Sequence, residues 1–273
     1  MADHKIVLND VTLACDDRGA GMPVVLLHGF PLDRHMWAGQ IERLASEFRV
    51  IAPDLRGFGG SLLADGDVDA GVAMDRYMAD VWAALDALGA TDPVVLVGFS
   101  MGGYAAWQGA LRTPQRLRGL VLCDTRAVGD SAEAAAGREK LAAAVLAAGD
   151  ASPALAMLPK LLSAETQERR PDVVAETTAM IERQSPEAIA AALRGMARRD
   201  DVRSRLAEIA CPCLAIVGSA DVISPPDEMR SIVEALPDAR LVEAPAGHMA
   251  PMENAEAVTE ALLEFARARC REA

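Results

Sequence analysis

The stretch Val94-Val95-Leu96-Val97-Gly98-Phe99-Ser100-Met101-Gly102-Gly103-Tyr104 decides the fold. Val94–Val97 is a continuous apolar run of mainly β-branched residues, the pattern of a strand buried on both faces of a parallel sheet. From Tyr104 the run Ala105-Ala106-Trp107-Gln108-Gly109-Ala110-Leu111 reads as a helix. Between them stands Gly98-x-Ser100-x-Gly102, the spacing of a nucleophile elbow. Such a turn is too tight for side chains two residues either side of the serine, and it lifts the hydroxyl off the sheet. Gly103 adds further room.

The rest of the chain alternates around this unit. Ile6–Leu8 and Val11–Ala14 flank Asn9-Asp10 as an antiparallel hairpin. Val24–Leu27, Arg49–Ala52, Leu120–Cys123, Leu214–Val217 and Arg240–Val242 read as strands. Helical spacing links Trp37, Ile41, Leu44 and Phe48, and recurs over Met74–Leu88, Asp227–Leu236 and Asn254–Arg269. Alternating strands and helices imply an α/β fold with a mostly parallel central sheet and helices on both faces. The rhythm stops between about Ala127 and Leu206, where Ser131–Ala148, Pro153–Leu162, Pro171–Arg183 and Pro186–Arg198 all read as amphipathic helices. Ser185-Pro186 supplies an N-cap serine and a proline at the first helical position. The expected organisation is a core of residues 1–126 and 207–273 with an all-helical cap, 127–206, inserted over the carboxyl edge of the sheet, where such folds bind ligands.

Composition narrows the function. Lys and Arg total 27 against 40 Asp and Glu, a net charge of −13. This polyanion should repel nucleic acid and anionic membrane, and no basic cluster offsets it. No segment is long and apolar enough to span a bilayer. Met1–Lys5 lacks the pattern of a signal peptide, so a cytoplasmic location is expected. Five cysteines, an odd number, suggest reduced thiols. Cys211-Pro212-Cys213 is the only close pair and has no second Cys/His pair to complete a zinc site, so no metal or other cofactor is expected.

A serine hydroxyl needs a base within hydrogen-bond reach. Of four histidines, His4 is terminal, His35 precedes a helix and reads as exposed, and His28 closes a buried strand and reads as structural. His248, in Pro245-Ala246-Gly247-His248-Met249, follows a strand directly and is the candidate base. The carboxylate that orients it should be Asp221, in the loop after the preceding strand, with Asp124 as the alternative acid. The order Ser, Asp, His along the chain fits an α/β-hydrolase. Attack creates an oxyanion that requires preorganised donors. The backbone N–H of Met101 and that of Phe30, in the turn after the first buried strand where Gly29 permits close approach, are the candidates. Asp54 and Arg56 sit in a glycine-dense loop and read as its internal braces.

The motifs His28-Gly29-Phe30-Pro31, Asp54-Leu55-Arg56-Gly57-Phe58-Gly59, Gly98-Phe99-Ser100-Met101-Gly102-Gly103, Gly218–Asp221 and Gly247-His248 together resemble the capped α/β-hydrolase superfamily. Within it the chain resembles small bacterial carboxylesterases, through His28–Asp33, Leu122–Ala127 and Ile223-Ser224-Pro225-Pro226, close to the 3-oxoadipate enol-lactonases. The resemblance implies a triad of Ser100, Asp221 and His248 with Phe30 and Met101 as oxyanion hole. Haloalkane dehalogenases and epoxide hydrolases carry aspartate where this chain has Ser100, so acyl transfer to serine is implied instead.

The expected activity is hydrolysis of short-chain carboxylic esters through an acyl-serine. An enol-lactonase with the same triad is the alternative; it would want an arginine at the pocket, for which Arg34, Arg126 and arginines of the cap are available. Perhydrolase, C–C hydrolase and acyltransferase chemistries share the machinery. A non-enzymatic small-molecule receptor is the remaining class. The partner is thus a small ester or lactone, and a monomer or a homodimer fits the sequence equally.

Overall fold

The computed structural model describes residues 3–271. Strands β1 (Asp3–Val7), β2 (Thr12–Arg18), β3 (Pro23–Leu27), β4 (Arg49–Pro53), β5 (Val94–Phe99), β6 (Leu117–Cys123), β7 (Cys213–Gly218) and β8 (Ala239–Ala244) form one sheet in the order β1-β2-β4-β3-β5-β6-β7-β8. β1 and β2 pair antiparallel, as does β2 with β4; every other pairing is parallel. The expected hairpin and parallel core are therefore both present. β3, β5 and β7 are buried along their whole length, which explains their uninterrupted apolar runs. β8, at the sheet edge, is mostly half-buried or exposed.

The helices are α1 (Ala38–Leu44), α2 (Asp67–Ala70), α3 (Met74–Ala87), α4 (Met101–Arg112), α5 (Ala132–Ala148), α6 (Leu158–Leu161), α7 (Ala164–Arg169), α8 (Pro171–Glu182), α9 (Pro186–Ala197), α10 (Pro226–Ala235), α11 (Ala250–Glu253) and α12 (Ala255–Arg271). The segment from β6 to β7 contains α5 to α9 and, among the described residues, no strand. Ser131, Ser163 and Ser185 cap α5, α7 and α9, each hydroxyl accepting from an N–H three residues on. α5 packs on α9, whose run Ala188–Ala192 is wholly buried. None of the described helices is long and apolar enough to cross a membrane.

Three helical expectations are corrected. The Trp37–Phe48 period splits into a 3-10 turn, Arg34–Trp37, and the short α1; Phe48 lies past the helix end yet reaches the same core. Pro153–Leu162 is not one helix: a 3-10 turn over Ser152–Met157 gives way to single-turn α6, whose Pro159 has no N–H with which to continue a ladder from before. α4 starts at Met101 rather than Tyr104, its first turn masked by Gly102 and Gly103. The last helix forms as expected: α12 starts directly after Asn254 (φ −133°), which separates it from the single-turn α11. All five cysteines are free thiols.

Candidate active site

Ser100 sits between β5 and α4 at φ 49°, ψ −112°, a conformation an L-residue adopts only under constraint. The constraint is visible in its neighbours. A Cβ on Gly98 would lie 2.6 Å from the carbonyl oxygen of Gly102, and one on Gly102 would lie 2.5 Å from that of Leu27 in β3. Helix, elbow and adjacent strand thus meet backbone to backbone. Ser100 N–H donates to the Cys123 carbonyl (2.9 Å), and the Thr125 hydroxyl donates to the Ser100 carbonyl (2.8 Å), so β6 and its loop hold the turn.

The structure brings Ser100, His248 and Asp221 together. His248 Nε2 is 2.9 Å from Ser100 Oγ, and His248 Nδ1 is 2.8 Å from Asp221 Oδ2. With Asp221 accepting at Nδ1, the Nε2 lone pair faces the serine hydroxyl. Asp221 Oδ1 accepts from the backbone N–H of Ile223 (2.7 Å) and Ser224 (3.0 Å). Burial pushes its carboxyl up, but His248 and those amides outweigh burial and hold it below the usual carboxylate range. The Phe99 ring lies 5.2 Å from the imidazole and walls off one face of it.

Asp124, the alternative acid, is also here but bonded elsewhere. It is buried at φ 44°; its Oδ1 accepts from Gly218 N–H (2.7 Å), and Oδ2 has no partner. It therefore braces the end of β7, from which the Asp221 loop leads on. Burial, then the charge of Asp221, pushes its carboxyl well above the usual range. Polar atoms of Asp124, Asp221 and His248 converge within 4.8 Å, a grouping that could hold a cation by distance alone. Both imidazole nitrogens and both Asp221 oxygens already have hydrogen-bond partners, which suits a proton relay better than a metal centre.

Met101 is the first residue of α4, where N–H groups have no intrahelical acceptor. Phe30 follows Gly29 in the turn after β3, closed by Leu32 N–H donating to the Gly29 carbonyl (3.0 Å); the Phe30–Pro31 bond is cis. His28 is structural, as expected: its Nδ1–H donates to the Gly29 carbonyl and its Nε2 accepts from Leu55 N–H, both at 2.9 Å. Burial lowers its pKa and keeps it neutral. Asp54 and Arg56 are braces too. Asp54 accepts from Arg34 and Gly60 backbone N–H, and Arg56, fully buried, is gripped by Asp80, Asp10 and Asp67.

One organiser escaped sequence reasoning. The Glu253 carboxylate accepts from Gly247 (2.9 Å) and Met249 N–H (3.2 Å), on either side of His248, and from Ser163 N–H (2.8 Å) in the helical segment. No periodicity marks this glutamate, because its partners are backbone amides, two from the neighbouring His248 loop and one from remote Ser163.

Comparison with known proteins agrees with this architecture. The chain is 31% identical over 247 residues, 88% of it and 92% of the relative, to the pimeloyl-[acyl-carrier protein] methyl ester esterase of Chromobacterium violaceum. A thermophilic esterase from Thermogutta terrifontis, solved with malate bound, superposes with a TM-score of 0.93 at 42% identity, over 98% of this chain and 99% of that one. The enol-lactonase of Burkholderia xenovorans superposes with a TM-score of 0.88 at 28% identity, over 97% and 100%. The model of the alpha/beta hydrolase fold family matches residues 22–255. With that match spanning β3 to β8, the serine turn and the His248 loop, the chain belongs to the alpha/beta hydrolase fold family and resembles its small bacterial esterases.

Proposed function

We propose that the protein is a serine carboxylesterase acting on short-chain carboxylic esters, with Ser100 as nucleophile, His248 as base and Asp221 as its orienting acid. The observation that carries this reading is the continuous relay Ser100 Oγ–His248 Nε2 and His248 Nδ1–Asp221 Oδ2, at 2.9 and 2.8 Å. Ser100 Oγ attacks the ester carbonyl as its proton passes to His248 Nε2, and Asp221 stabilises the imidazolium. The oxyanion is received by the N–H groups of Phe30 and Met101; each such donor is worth about 3–4 kcal/mol in the transition state. Collapse expels the alcohol, protonated by His248. Water then repeats the sequence on the acyl-serine and releases the acid.

Residues 127–206 serve as a cap over this edge of the sheet, and their buried alanine, leucine and methionine content suits an apolar acyl group. The arginines that an anionic lactone would need are already engaged: Arg34 by Asp54 and Asp16, Arg126 by Glu228, Arg183 by Asp33. This favours a neutral ester over a dicarboxylate lactone. Multiple turnovers of p-nitrophenyl acetate and butyrate, abolished in Ser100→Ala, are expected. Saturable ester binding without turnover would replace the enzyme with a receptor.

A further inference from the structure

Asp33 lies three residues beyond Phe30, on the same loop, and its side chain is wholly buried. Five donors converge on it. Oδ1 accepts from His35 N–H (3.0 Å) and Arg183 Nη2 (2.8 Å) and lies 2.8 Å from His35 Nδ1; Oδ2 accepts from Arg183 Nε (2.6 Å) and Gln184 Nε2 (3.0 Å). Arg183 and Gln184 form the turn between α8 and α9, a hundred and fifty residues away. Gln184 is itself buried; its Oε1 accepts from Gly59 N–H (2.9 Å) and its Nε2 also donates to the Met180 carbonyl (2.8 Å). One turn of the cap is therefore plugged between the Phe30 loop and the glycine-rich loop of the core.

A buried carboxylate satisfied by so many donors fixes the segment that bears it, because moving the loop would leave a charge unpaired in a dry site. We propose that Arg183 and Gln184 are positioning residues, through which the docked cap holds Asp33 and so sets the Phe30 N–H in the oxyanion hole. This rests on the assignment of Phe30 as an oxyanion donor. Cap docking and transition-state stabilisation then become one event, and the esterase is fully active only with the cap seated.

His35 supplies the readout. It shares Oδ1 of Asp33 with Arg183, and hydrogen bonding to Asp33 raises its pKa above the ordinary imidazole value. The other charged groups facing this pair are Arg34 and Asp54 from the core and Glu176 from α8, with Arg170 and Asp172 lining the cleft beside His35. In the native protein Arg183 stays charged at every working pH. Among the described residues, protonated His35 is then the one cation left bonded to Asp33 in Arg183→Gln.

Steady-state kinetics with p-nitrophenyl acetate across pH, together with melting temperatures, test this. Arg183→Gln should lose about tenfold in kcat with KM little changed, less than deletion of an oxyanion donor costs. Its kcat should also decline as pH rises through the His35 titration, a limb the native enzyme lacks, and Arg183→Lys should restore the plateau. A native kcat at all pH values overturns the proposal. So does a loss that is uniform in pH and not rescued by lysine, which marks a merely structural contact. Should Arg183→Gln fail to fold, Gln184→Met, which keeps the ion pair, decides: lower kcat at native melting temperature supports the proposal, and native kcat overturns it. Ser100→Ala measured alongside separates the premises. Residual turnover there refutes the serine reading and this proposal with it; a silent Ser100→Ala beside an unaffected Arg183→Gln refutes the proposal alone.

Discussion

Replacing Asp221 and Asp124 separately by asparagine should give very unequal results, although both carboxyls sit within a few ångströms of His248. Asparagine at 221 would present its amide N–H₂ to His248 Nδ1, forcing the proton onto Nε2 and leaving no lone pair to take the Ser100 proton. In serine proteases this change of tautomer costs about 10⁴ in kcat, which is about 5.4 kcal/mol at about 1.36 kcal/mol per decade. Asp124 is different because its carboxyl is bonded to the Gly218 N–H rather than to His248, and burial favours its uncharged form. Asparagine is close to isosteric with it, its oxygen can still accept from Gly218 N–H, and it tolerates the positive φ of 44°. Asp124→Asn should therefore retain kcat within about threefold, or about 0.65 kcal/mol. The comparison is made with p-nitrophenyl butyrate at pH 8, on chains shown to be folded. A kcat for Asp124→Asn as low as that of Asp221→Asn would refute the assignment of roles.

The same pair predicts opposite stability profiles. The Asp124 pKa is raised in the folded state, so its contribution is fully present below the unfolded carboxylate pKa and is lost as pH rises toward the folded value. The stability of Asp124→Asn relative to the native chain should accordingly grow above about pH 4, by up to about 1.4 kcal/mol per pH unit.

Other residues yield sharper local tests. Asp221 has a lowered pKa, so its contribution holds above the unfolded value and is lost as pH falls through the folded one; the native stability decrement on acidification should shrink in Asp221→Asn, as measured by denaturant titration at pH 3–6. Glu253→Ala removes a carboxylate from three backbone N–H groups and should cost about 2–4 kcal/mol in urea unfolding, with at least about a tenfold fall in kcat as the His248 loop loosens. Gly98→Ala drives a Cβ against the Gly102 carbonyl and should destabilise by about 2–4 kcal/mol, with activity lost. Thr125→Val keeps the shape but removes the hydroxyl that donates to the Ser100 carbonyl; about 1 kcal/mol of stability and a few-fold in kcat should go.

Much of the fold was legible locally. β3, β5 and β7 announce themselves because a strand buried on both faces must be apolar throughout, and the elbow because its glycines have no sterically possible replacement. The helical segment was legible as helix but not as lengths. Pro159 interrupts a run whose apolar spacing continues through it, and α7 offers little apolar period of its own. The burial of His28 was legible because it closes a buried strand, and the exposure of His35 because it precedes a helix. The remote partners of Asp33 and Glu253 were invisible, since Arg183, Gln184 and Ser163 reach them from 90 or more positions away through contacts that leave no periodic trace.

By itself, then, the sequence determined the sheet-and-helix order, the strained serine turn, and the strand ends from which Ser100, Asp221 and His248 project. These follow from periodicity, glycine sterics and the handedness of parallel connections, all of which act over short stretches of chain. Only the tertiary structure decided which carboxylate addresses the imidazole, that burial raises the Asp124 pKa beside it, and that Arg183 and Gln184 grip Asp33 on the Phe30 loop. Those outcomes depend on burial and on distances between charges brought together from remote positions, and desolvation does not exist until the chain has closed around them.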